Sequence, residues 1–100
     1  DELVEILHDK SIDVINNYIN ILKYHKPNEL LQLYKSQILK ELSWASDRKM
    51  YQKIVSNFTN FKRIPHGDDE LANIIKYVRK NYKNRKALQE EIDFFEETYL

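Results

Sequence analysis

Apolar residues recur along this chain at spacings of three and four, the interval that returns a position to the same face of an α-helix. The pattern predicts helices nearly everywhere, and no stretch requires a strand. A first short element, Glu2 to His8, sets Leu3, Ile6 and Leu7 on one side and runs into Asp9-Lys10-Ser11, where Ser11 offers an N-cap. The second helix, about residues 12 to 25, places Ile12, Ile15, Ile19 and Leu22 on one stripe and Val14, Tyr18 and Ile21 on the next. So wide an apolar surface predicts a central helix. Pro27 ends it, and Asn28 stands where it would cap a third helix from Glu29 to about Ala45, with Leu31, Tyr34, Ile38 and Leu42 inward and Leu30, Leu33 and Leu39 alongside.

Ser46-Asp47 offers the next cap, followed by Tyr51, Ile54, Val55, Phe58 and Phe61 on one face of a fourth helix that ends near Arg63. That aromatic stripe reads as core. The strongest break is Ile64-Pro65-His66-Gly67-Asp68, with the sole glycine, a capping aspartate, and Asp69 and Glu70 in the following first turn. The fifth helix carries Leu71, Ile74, Ile75, Val78 and Tyr82 on a single stripe. The sixth, capped by Asn84, carries Leu88, Ile92, Phe95 and Tyr99, with Ala87 and Phe94 beside them. Short connections between such helices predict antiparallel neighbours. The expected fold is therefore all-α, five or six helices in stacked antiparallel hairpins over residues 1 to 100 as one domain, either solenoid-like or a compact bundle. Internal repetition is weak, and the tetratricopeptide and ankyrin patterns are not met.

Composition narrows the chemistry. Sixteen basic and sixteen acidic side chains cancel, so any partner attracted by charge must meet a local patch. The absence of cysteine removes disulfides, thiolate nucleophiles and cysteine-ligated metal sites, and fits a reducing compartment. No apolar run reaches the roughly 18 residues of a membrane span, and Asp-Glu-Leu-Val-Glu lacks the basic start of a signal peptide, so a cytoplasmic protein is expected. A start at Asp1, with the sole methionine internal at Met50, leads to the expectation of a piece of a larger protein.

Two stretches, Pro27-Asn28-Glu29-Leu30-Leu31-Gln32-Leu33-Tyr34, and Asp47-Arg48-Lys49-Met50-Tyr51 followed by Tyr82-Lys83-Asn84-Arg85-Lys86-Ala87-Leu88-Gln89-Glu90-Glu91, together resemble the helical C-terminal region of bacterial SWIM zinc-finger proteins. The likeness covers roughly residues 27 to 92 and consists of packing patterns. It implies a helical, interaction-type region of a bacterial protein whose zinc finger lies upstream. The Cys-x-Cys and Cys-x-His ligands of that family have no counterpart in a cysteine-free chain, so only the helical architecture carries over.

Catalysis finds little support. His8, His25 and His66 have no i,i+4 pairing for a metal, and His25 and His66 read as a helix C-terminal residue and an exposed turn. The serines at 11, 36, 43, 46 and 56 lie outside any nucleophile elbow. The neighbouring carboxylates of Glu90-Glu91 and Glu96-Glu97 diverge by about 100 degrees on a helix, and Gly67 alone makes no phosphate loop. No enzyme activity, cofactor or metal is expected.

The candidate binding surface is the basic segment Lys76, Arg79, Lys80, Lys83, Arg85 and Lys86 with Tyr77, its first four cations on one helical face. Glu90, Glu91, Asp93, Glu96 and Glu97 follow and stand ready to neutralise it across the hairpin. Trp44, Tyr24, Tyr77 and Phe94 lie off or at the edge of the main stripes and offer an alternative, aromatic surface of the kind that anchors protein partners, while for Trp44 the core or a seam between domains is favoured. The leading expectation is a non-catalytic interaction or scaffolding domain with a protein partner. The alternatives are a nucleic-acid-contacting module built on residues 76 to 86, and a small helical immunity or antitoxin protein.

Overall fold

The computed structural model describes residues 2–7 and 10–100, with the side chains of residues 2–4 left aside, so His8 and Asp9 lie outside the described residues. Among the described residues seven α-helices follow one another: α1 (Glu2–Leu7), α2 (Ile12–Asn16), α3 (Ile19–His25), α4 (Pro27–Trp44), α5 (Arg48–Ser56), α6 (Gly67–Asn81) and α7 (Lys86–Tyr99). A 3-10 segment, Asn57–Arg63, joins α5 to α6. There is no strand among the described residues. Of the two expected arrangements, the compact bundle is the one adopted. The Cα radius of gyration of 13.2 Å equals the about 13 Å of a globular chain of this length, where a solenoid would be longer.

The central helix is α4, not the predicted second helix. It buries Leu30, Leu31, Leu33, Tyr34, Gln37, Ile38 and Leu42, and α1, α2, α3, α5 and α6 all pack on it. The predicted second helix is interrupted at Asn17–Tyr18, and its Ile12, Ile15, Ile19 and Leu22 stripe is buried while Tyr18 packs half-buried against the core. Val14 and Ile21 face outward because two short helices lying on α4 need a single apolar face. In α1, Leu7 is buried and Ile6 exposed.

Helix starts differ from the expected caps. Pro27 is the first residue of α4, where its missing N–H and fixed φ cost nothing, so Asn28 is not a cap. The Ser11 side chain makes no capping bond. Glu41 of α4 supplies the acceptor instead, taking the Ile12 N–H at 3.2 Å and the Gln37 amide at 3.4 Å. Asp47 caps α5 as expected, accepting the Met50 N–H at 2.9 Å. Helix α7 begins after Arg85 rather than Asn84.

The predicted fourth helix tightens to 3-10 geometry after Ser56, and polar contacts explain where. Tyr34, fully buried, donates its hydroxyl to the Asn57 carbonyl at 3.1 Å and accepts from Asn60 Nδ2 at 3.0 Å. Asn60 also reaches Asn16 Oδ1 and Asn57 Oδ1, and Asn16 donates to Asn57 Oδ1 at 3.0 Å. These bonds draw the segment toward α2 and α4 while Phe58 and Phe61 stay in the core, Phe61 edge-on to Tyr34 at 4.9 Å.

The Ile64–Gly67 break occurs as predicted, with an unexpected division of labour. His66, not Gly67, takes the left-handed conformation, at φ 64°. Gly67 is required for space, since a Cβ there would stand 1.7 Å from the Phe61 carbonyl oxygen. That approach starts α6 against the 3-10 segment, and α5, α6 and α7 then run up, down and up. Contacts from Arg48 to Glu90 and Glu91, and from Phe58 to Phe95, advance together along both chains, so α5 and α7 are parallel.

Two predictions follow from this clamp. Gly67→Ala is expected to cost about 2–3 kcal/mol, lowering the melting temperature by roughly 10–20 °C, because a backbone carbonyl must move. A melt within a few degrees of the parent would disprove the close approach. Burial pushes the Tyr34 phenol well above its ordinary value of 10.0. Below pH 10 it is neutral in both states and contributes no slope. Above pH 10 the unfolded phenol loses its proton while the folded one keeps it, so stability falls as pH rises. Tyr34→Phe should lose about 1–2 kcal/mol at neutral pH and show a flatter alkaline decline, measured by urea unfolding on either side of pH 10.

Candidate functional site

The basic segment divides into cations used internally and cations left in solvent. Arg79 on α6 reaches across to α7. Its guanidinium donates to Gln89 Oε1 at 2.9 Å, to Asp93 at 2.6 Å and to Glu96. Asp93 and Glu96, three apart, share one face of α7. Gln89 in turn donates to the Val78 and Tyr82 carbonyls at 3.2 and 2.9 Å, closing the end of α6. Arg79 is thus a clasp of the hairpin rather than a free binding group, as the trailing acids had suggested.

Arg85 is likewise committed. One guanidinium nitrogen donates to the carbonyls of Leu42 at 2.9 Å and Ala45 at 3.2 Å, capping α4, and its carbon lies 4.5 Å from the centre of the Tyr82 ring. Tyr82, half-buried, meets Tyr77 edge-on at 6.2 Å. Lys83 falls in the turn after α6, so the expected four-cation helical face ends at Lys80. Lys76, Lys80, Lys83 and Lys86 are exposed and, among the described residues, make no ion pair.

Trp44 is not in the core. It is 64% exposed near the end of α4, with the Lys40 ammonium 5.2 Å from its ring. The bond from Arg85 to Leu42 and Ala45 brings the α6–α7 turn to this same end of the molecule. The two surfaces that look separate in the sequence therefore share one end of the bundle.

A second feature was not singled out from the sequence. Gln52, Val55 and Ser56 of α5 and Glu91, Phe94, Phe95 and Tyr99 of α7 line a half-open groove of about 150 Å³. Phe95 is buried beneath it, whereas Phe94 is 65% exposed and Tyr99, expected in the core, is exposed at the helix end. The signal was Phe94 itself, which lies off the Leu88, Ile92, Phe95 stripe while Phe95 lies on it. Arg48 bonds Glu90 and Glu91, each at 2.9 Å, and so ties α5 to α7 beside the groove residue Glu91.

The serines and histidines weighed for catalysis form no reactive cluster among the described residues. Ser43 and Ser56 donate to carbonyls of their own helices, His25 ends α3 and His66 lies in the exposed turn. Among the described residues no three His, Asp or Glu side chains gather as a metal site requires, and no helix is long and apolar enough to cross a membrane. No family model, curated protein or solved structure matches the chain.

The two kinds of cation should separate in a stability experiment. Arg85→Ala is expected to cost about 1.5–3 kcal/mol by releasing two carbonyls and a stacked ring, whereas Lys80→Ala should stay within about 0.5 kcal/mol of the parent. Equal losses in chemical denaturation would contradict the division.

Proposed function

We propose that this chain is a non-catalytic helical interaction domain whose α5–α7 groove receives one leucine- or phenylalanine-type side chain from a protein partner. The observation that carries the reading is Phe94, a large apolar ring held in solvent at the rim of a groove with Val55 and Phe95 in its lining. Isolated exposed apolar residues are ordinary, but an exposed ring beside an apolar recess forms the anchor-and-pocket arrangement typical of interface centres. A space of about 150 Å³ is enough for a benzene ring. Among the described residues the buried phenols Tyr34 and Tyr51 are shut away in the core, and the serines at 43 and 56 are tied to helix carbonyls, so these polar groups support binding better than catalysis. The likeness of residues 27 to 92 to a SWIM helical region favours the same role, within a larger bacterial, cytoplasmic protein.

Titration of ¹⁵N-labelled protein with N-acetyl-leucinamide and N-acetyl-phenylalaninamide tests the groove. Amide shifts should cluster at Val55, Phe95 and Tyr99 and vanish in Val55→Trp, which fills the space. A protein partner recovered with the parent domain should be lost with both Val55→Trp and Phe94→Glu yet retained with Lys80→Glu. Shifts scattered over the surface, or a partner indifferent to both groove variants, would sink the proposal.

A further inference from the structure

The α6–α7 turn concentrates positive charge in a chain whose total charge is zero. No acid occurs from Leu71 to Gln89, so Lys76, Lys80 and Lys83 have no carboxylate within a helical turn on their own segment. The acids of α7 nearest the turn are paired: Glu90, one turn from Lys86, and Glu91 by Arg48, and Asp93 and Glu96 by Arg79, while Glu97 lies eleven residues beyond Lys86, about 16 Å along the helix axis. With Arg79 and Arg85 consumed by the fold, four exposed lysines remain around one turn. Lys76 and Lys80 are about 6 Å apart along the α6 axis.

Aromatic rings accompany them. Tyr77, between Lys76 and Lys80 in the chain, is 45% exposed and braced edge-on by Tyr82, which lies under the Arg85 guanidinium. Trp44 stands at the end of α4 to which Arg85 fastens this turn, with the Lys40 ammonium beside its ring. Lysines alone would serve any polyanion. Lysines with two accessible rings suit a polyanion that also presents flat, unpaired bases.

We propose that this end of the bundle binds single-stranded nucleic acid, with Lys76, Lys80, Lys83 and Lys86 along the phosphates and Tyr77 and Trp44 stacking on bases. Duplex DNA would offer the phosphates without the base faces, and an acidic polypeptide would engage the lysines without the rings. The site is independent of the α5–α7 groove, so each can fail alone.

Fluorescence anisotropy with a labelled oligothymidylate of about twelve nucleotides tests this, and four phosphate contacts predict a log–log salt slope of about −3. Lys80→Glu with Lys83→Glu should weaken binding at least about tenfold and flatten that slope. Tyr77→Ala and Trp44→Ala should each weaken it by about fivefold or more without altering the slope. Lys49→Glu, an exposed charge reversal on α5, should change little. The single tryptophan gives a second readout, because stacking should quench its fluorescence in the unlabelled parent. Circular dichroism melts matching the parent would exclude unfolding of the variants. Absence of binding at low salt would overturn the proposal. So would equal affinity for polyglutamate with Tyr77→Ala and Trp44→Ala silent, which would reassign the lysines to an acidic polypeptide.

Discussion

The bundle depends on how the chain passes Phe61. On one side the buried Tyr34 ring meets Phe61 edge-on while its hydroxyl holds the Asn57 carbonyl. On the other, the Gly67 backbone lies against the Phe61 carbonyl so closely that no side chain fits between. The 3-10 segment is therefore clamped between the central helix and the start of α6. Both candidate surfaces lie downstream of that clamp. The direction in which α6 leaves Gly67 determines where its lysine-bearing end arrives, and Phe58, in the same segment, seats Phe95 and with it the floor of the groove.

Around the α6–α7 turn charge is sorted by side-chain type, although elsewhere Lys35 and Lys53 pair across elements with Glu70 and Asp13 at 3.0 and 2.9 Å. The arginines at 48, 63, 79 and 85 all bond across elements: to Glu90 and Glu91, to Asn20, to Asp93 and Glu96, and to the carbonyls closing α4. The lysines of the α6–α7 turn stay in water. A rigid planar fork can satisfy two acceptors at once and loses less hydration in doing so, whereas an ammonium on a flexible stem is more at ease in solvent. This sorting leaves a nearly uniform basic run in the sequence as a set of lysines around structural pins.

Helical periodicity made the all-α class, the Ile64–Gly67 break, the Asp47 cap and the inward stripes of α4 to α6 legible before any coordinates. It failed where the decisive partner is distant in sequence. Nothing local marks Asn17–Tyr18 as a break or Ser56 as the end of α-helical geometry, because Asn16, Asn57 and Asn60 are polar residues of ordinary helical appearance until Tyr34 joins them. Tyr99 was placed on an inward stripe by periodicity and Trp44 in the core or at a seam between domains, yet both are exposed near helix ends where little chain remains to cover them. For the surface, the sequence carried the residue types but not their grouping. Arg79 and Lys80 are neighbours with opposite fates, and the bond that unites Trp44 with the lysine turn spans about forty residues.

The cap that Glu41 lends to Ile12 places the start of α2 under the control of a residue 29 positions further on. Helices of five and seven residues do not persist alone in water, so residues 12 to 25 can settle only after α4 exists to receive them. On the ribosome these residues emerge before Glu41 has been added. Between this segment and α4 the order of folding therefore runs opposite to the order of synthesis.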